Sequence, residues 1–150
     1  MIRNENTVVI RRPIEEVFAC VSDLQNSPKW QKGLVEALPI STGPLGVGAQ
    51  YTGVRKFMGR RVESVIQFTT YEPNKRIVFK SISGSMPMET SFRFESTVEG
   101  TRLTTIIELQ PAGFMSLAEP LIASGLRREM DANFGDLKDL LESKVPAIAS

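Results

Sequence analysis

Residues 117–141 read LAEPLIASGLRREMDANFGDLKDLL. Leu117, Leu121, Leu126, Met130, Phe134, Leu137 and Leu141 recur three to five residues apart, while Arg127, Arg128, Asp131, Lys138 and Asp139 mostly fall between them. That spacing predicts one long helix with a single apolar stripe to bury. Upstream, from about Gly33 to Leu109, the pattern alternates instead at the period of a strand. The only large partner for the stripe is the dry face of the sheet those segments build. A straight helix on a curved sheet touches it along a line and leaves a cavity beside the contact. Pro120 suits the first residue of the main helix, after a Ser116-Leu117-Ala118-Glu119 lead-in, or a kink in a longer one, and Gly125 is a weak point one turn on, so a bend there would let the helix's N-terminal part and the preceding Gly113 loop open as a gate.

Working outward, strands are expected at Leu34 to Ile40, Ala49 to Phe57, Val62 to Tyr71, Ile77 to Ser83, Met88 to Phe94 and Arg102 to Leu109. Turn signals close them: Ser41-Thr42-Gly43-Pro44, Met58-Gly59, Glu72-Pro73-Asn74-Lys75, Gly84, Glu99-Gly100 and Pro111-Ala112-Gly113. Connections this short favour antiparallel pairing. Parity sets Ile66 and Phe68 against Glu63 and Gln67, Ile77 and Phe79 against Lys80, Phe92 and Phe94 against Arg93 and Glu95, and Leu103, Ile107 and Leu109 against Arg102 and Glu108. One face is therefore dry. Before these lie a strand at Thr7 to Ile10, a helix from Pro13 to about Ser22 with Pro13 in its first position, and a second short helix from Asp23 to Trp30 interrupted at Ser27-Pro28. The fold class is α+β: a curved antiparallel seven-stranded sheet around a long C-terminal helix, with two short helices after the first strand.

A length of 150 residues, without a linker or an internal repeat, fits one domain over 1–150. Hydrophobic residues at 41% and charged residues at 23% exclude disorder, and no apolar run is long enough to cross a bilayer. The first residues show no secretory signal, and the lone Cys20 fits a reducing compartment, so a soluble cytoplasmic protein is expected. Net charge is +1, with the basic pairs Arg11-Arg12, Arg60-Arg61, Lys75-Arg76 and Arg127-Arg128 scattered, which argues against a nucleic-acid partner. The sequence leaves a homodimer open.

The order strand, two helices, six strands, long helix carries several local patterns at once. They are Pro13-Ile14-Glu15-Glu16-Val17-Phe18; Trp30 after a short helix; Gly59-Arg60-Arg61-Val62-Glu63; Tyr71-Glu72-Pro73-Asn74-Lys75-Arg76-Ile77-Val78-Phe79; Phe92-Arg93-Phe94-Glu95; Gly100-Thr101-Arg102-Leu103-Thr104; and Asp136-Leu137-Lys138-Asp139-Leu140-Leu141-Glu142. In this the chain resembles the START-like (SRPBCC) superfamily of helix-grip proteins, specifically its polyketide cyclase/dehydrase and lipid-transport branch. The resemblance covers nearly the whole chain. It implies a deep pocket between the sheet and the C-terminal helix, used for lipids, aromatic polyketides, hormones or quinones. It does not imply one activity, because the fold hosts binders, cyclases and chaperone-binding domains alike.

Histidine is absent, which removes the usual general base, the usual metal ligand and any Ser-His or Cys-His nucleophile. No cofactor and no metal are expected. Gly43, Gly46 and Gly48 lack the residues of a phosphate loop and read as a flexible loop at the pocket mouth. Chemistry would rest on Tyr51 and Arg55, four apart on one strand: Arg55 to polarise a carbonyl or hold a carboxylate, Tyr51 to donate a hydrogen bond. If Thr52 and Val54 face inward instead, both are solvated; the sequence does not decide which face lines the cavity. Glu63 and Glu89 fall on the wet side by parity. Ser64, Ser81, Thr90 and Thr105 interrupt dry faces, either to make room for a ligand and hydrogen-bond it or as small core residues. Trp30, Ile66, Phe79, Met88, Phe92, Phe94, Leu121 and Met130 are the bulky residues available to line a cavity or fill a core. The candidate ligand contacts are thus Trp30, Tyr51, Ile66, Phe79, Ser81, Met88, Thr90, Phe92, Leu121 and Met130.

Three function classes follow. The leading one is binding or transfer of a hydrophobic small molecule: a lipid, an aromatic or a polyketide-like compound. The second is a cyclase- or dehydratase-like enzyme acting on an aromatic substrate without histidine or metal. The third is a protein-interaction module, which would show an exposed apolar patch in place of a closed cavity.

Overall fold

The computed structural model describes residues 1–40, 43, 45–57, 59–84, 87–111 and 113–143. Its elements run β1 (Ile2–Ile10), α1 (Ile14–Ser22), a 3₁₀ segment (Leu24–Lys29), β2 (Leu34–Pro39), β3 (Gln50–Phe57), β4 (Arg60–Glu72), β5 (Arg76–Ser83), β6 (Met88–Thr97), β7 (Gly100–Leu109), a second 3₁₀ segment (Gly113–Ala118) and α2 (Glu119–Glu142). All seven strands form one antiparallel sheet in the order β1-β7-β6-β5-β4-β3-β2. The expected turns at Ser41-Thr42-Gly43-Pro44, Met58-Gly59 and Pro111-Ala112-Gly113 lie partly outside the described residues.

β1 starts five residues earlier than its β-branched run, pairing with β7 from Ile2↔Leu109 to Ile10↔Thr101. Asn4 and Asn6, poor strand formers, hid it. A polar side chain is tolerated on this strand because α2 supplies a partner: Asn6 Nδ2 donates to Asp131 Oδ1 at 2.6 Å. Further along, Lys138 Nζ donates to the Val9 carbonyl at 2.8 Å, and the Arg11 N–H donates to Glu142 Oε2 at 2.8 Å. The helix therefore runs alongside the edge strand. Its 24 residues span about 36 Å and outreach the nine of β1, which span about 30 Å.

Pro13 is the N-cap of α1 rather than its first helical residue, with φ −61° and ψ 149° in the extended region. Glu15 and Glu16 occupy the first turn, where the helix dipole favours them, and Arg12 reaches Glu16 at 2.7 Å. Val17, Phe18, Cys20 and Val21 are buried on the side facing the sheet. Gly100, at φ +148°, lets the β6–β7 hairpin pass under this junction, since a Cβ there would lie 2.9 Å from Arg11 Cα.

α2 continues unbroken through Gly125 and starts at Glu119, so Pro120 is its second residue, one later than the first position expected for it. The expected stripe needs correcting at its start: Leu117 is 86% exposed and Leu121 77%. The buried face is Ile122, Met130, Asn133, Phe134, Leu137 and Leu141, with Leu126 partly buried. The five-residue step from Leu121 to Leu126 turns the helix by about 140° off the stripe, so Ile122 takes the inward position.

Candidate ligand cavity

The concave face of the sheet holds two different interiors. At one end Phe18 packs edge-on against both Tyr71 and Phe94, and Phe68 against Tyr51, Tyr71 and Phe79, with ring centroids 5.1–6.2 Å apart. A bulge in β4 between Phe68 and Thr70 brings Tyr71 onto the same face as Phe68. This end is filled. At the other end Trp30 and Phe134 lie 5.5 Å apart, Phe92 and Phe134 6.5 Å, and Phe79 and Phe92 6.0 Å. There the rings frame a cavity of about 80 Å³.

The face that sequence alone left undecided is settled by this cavity: Gly53 and Arg55 of β3 line it, while Val54 is buried outside the main core. Seven of the ten expected ligand contacts also line it, namely Trp30, Ile66, Phe79, Met88, Thr90, Phe92 and Met130. Three do not. Tyr51 is buried against Phe68 in the filled end. Residues four apart in a strand are separated by about 13 Å, so Tyr51 and Arg55 share a face without converging on one guest atom. Ser81 spends its hydroxyl on the backbone of Met88, accepting from its N–H at 2.9 Å. Leu121 points to solvent, for the rotational reason given above. Gly43, Gly46 and Gly48 are not among the described residues that line the cavity, and the Gly48 N–H donates to the Phe68 carbonyl.

Sequence reasoning missed the rim. Arg55 Nη2 donates to Gln31 Oε1 at 2.7 Å, and Nη1 donates to Glu129 Oε1 at 3.1 Å. One guanidinium thereby joins β3, the segment after Trp30, and α2. Gly33 belongs to the same junction, because a Cβ there would collide with the Glu129 carboxylate. The Arg55 and Glu129 side chains are 40% and 34% exposed, so the pair is worth only about 0–1 kcal/mol. It is a light fastening across the mouth. Nothing in the spacing of residues 31, 55 and 129 announces it.

Three buried polar atoms among the described residues find no protein partner: Trp30 Nε1, Thr105 Oγ1 and Asn133 Nδ2. Asn133 is fully buried and uses only its Oδ1, which accepts from the Lys32 N–H at 3.3 Å. Trp30 is 2% exposed and is the one of the three that lines the cavity. Leaving such a donor unpaired costs about 1–3 kcal/mol. Among the described lining residues Arg55 is the single ionisable group, and the rest of the wall is apolar apart from Ser27, Gln31, Ser64 and Thr90. Burial, with Asp23 and Tyr71 adding to it, holds the Tyr51 phenol above its usual range, so it stays protonated at neutral pH.

No helix among the described residues is long and apolar enough to cross a membrane. No curated protein matches the chain in sequence. Its fold is that of many solved structures. A protein of Thermus thermophilus superposes with a TM-score of 0.78 at 19% identity, covering 95% of this chain and 99% of that one. A START superfamily protein of Mycobacterium smegmatis gives 0.77 at 15% identity, covering 93% and 97%. The Zhui aromatase/cyclase of Streptomyces sp. R1128 gives 0.79 at 13% identity, covering 99% and 98%. At these identities the likeness shows the shared helix-grip architecture alone. The sequence profile described as "Polyketide cyclase / dehydrase and lipid transport" matches residues 1–142, which spans every strand and helix described above, and the chain belongs to that family.

Proposed function

We propose that the protein binds or transfers a hydrophobic small molecule, a lipid, an aromatic or a polyketide-like compound, in the cavity between the sheet and α2. The observation that carries this reading is the contrast between the two ends of one concave face, packed with rings at Tyr51 and Phe68 and hollow at Trp30 and Met130. At about 80 Å³ the hollow is smaller than the roughly 300–1,000 Å³ of a typical ligand site, so the guest enters a wall that yields. The wall is built for it: Met88, Met130 and Leu34 line the space with adaptable side chains, and the rim is fastened by one half-exposed ion pair. The family description joins polyketide cyclase and dehydrase to lipid transport, and the guests of both are largely apolar. Within that description binding is favoured, because the guanidinium of Arg55 supplies charge and hydrogen bonds, not a base. Cyclase-like turnover would need a proton acceptor carried by the substrate or by water.

Native mass spectrometry of the chain purified from its own host, followed by organic extraction, tests the reading. A stoichiometric apolar adduct that is released by solvent is the expected result. Protein that is adduct-free and also fails to retain any compound from the host's own organic extract contradicts it.

A further inference from the structure

Resting on the reading just given, we propose that the guest is an apolar acid whose carboxylate takes the place of Glu129 on Arg55. The wall is asymmetric in charge: its described lining holds one cation and no carboxylate. The negative charge that balances Arg55 is supplied from the rim by Glu129, which stands on α2 with its side chain 34% exposed. Exchange of one carboxylate for another leaves the charge count at the mouth unchanged. A neutral guest of the same size would enclose the guanidinium without adding a partner. The guanidinium offers five donors in a plane and matches a carboxylate in two parallel bonds, whereas Glu129 engages it through Nη1 alone. Gln31, the other partner of Arg55, follows Trp30 directly in the chain, which ties the cationic rim to a residue that lines the cavity. The apolar body of the acid then lies against Phe79, Phe92 and Phe134.

Trp30 is the single tryptophan of the chain and lines the cavity, so its fluorescence reports occupancy directly. Full-length protein titrated near neutral pH with phenylbutyrate and with phenylbutanol compares two guests that share a body and differ in the head group. The acid is expected to bind about tenfold more tightly than the alcohol, the usual scale of a charge-assisted pair. Arg55→Gln removes that preference, while Glu129→Gln, which releases Arg55, strengthens the acid severalfold and not the alcohol. Acid and alcohol bound equally, or weakened equally by Arg55→Gln, overturn the carboxylate assignment while the hydrophobic site survives. Failure of both probes to bind overturns the site and the assignment together. Should Arg55→Gln not fold, Glu129→Gln carries the same decision: an unchanged acid affinity refutes the exchange.

Discussion

Glu142 shows how much of this fold is secured by single polar contacts. Its carboxyl lies below the ordinary carboxylate range, first because Lys138 donates to it at 2.7 Å and then because the Arg11 N–H does so at 2.8 Å. A carboxylate with a depressed folded-state pKa adds stability above its unfolded pKa and loses it as pH falls through the folded one. Urea unfolding across an acid series is therefore expected to show native protein losing stability more steeply, below the ordinary carboxylate range, than Glu142→Gln, with the gap between them constant near neutrality. Parallel curves throughout would refute the role given to this contact. Arg55 obeys the same logic at the rim: what it does depends on Gln31 and Glu129, neither of which the sequence singles out.

At the scale of elements, α2 carries the clearest test. Leu137 is fully buried and Leu121 is 77% exposed, although both belong to the leucine series that suggests the helix. Leu137→Ala is expected to cost about 2–5 kcal/mol, and Leu121→Ala to stay within about 0.5 kcal/mol. Equal costs in chemical denaturation would return Leu121 to the core. The strands were legible because alternation, turn residues and a dry face agree at Ile66 and Phe68, at Phe92 and Phe94, and at Leu103 and Ile107. β1 was half legible, since Asn6 is accommodated by Asp131 from another element. The stripe of α2 was legible from Leu126 onward and misread before it, because a list of leucines carries no rotation unless every step is converted to an angle. The candidate site divides along the same line. Apolar lining follows from parity, so Ile66, Phe79 and Phe92 were found. Position along a strand does not follow from parity, and Tyr51 was placed in the cavity when it belongs to the filled end.

In the whole molecule one interior is divided in two: the side chains close over it where β3 begins and leave a cavity of about 80 Å³ beside Arg55 where it ends. A close-packed fold has little reason to leave room at one end unless the room is used, since each unfilled volume costs stability. The measurement that bears on this most directly is a titration of the full chain with phenylbutanol, read by Trp30 fluorescence, in native protein and in Ile107→Phe. Ile107 lines the cavity, and the larger ring grows into it with little of the strain that overpacking brings in a filled core. The account predicts a saturable response in the native chain and its loss in Ile107→Phe, with the variant's thermal unfolding as cooperative as before. The same saturable response in both proteins would place the guest elsewhere and contradict it.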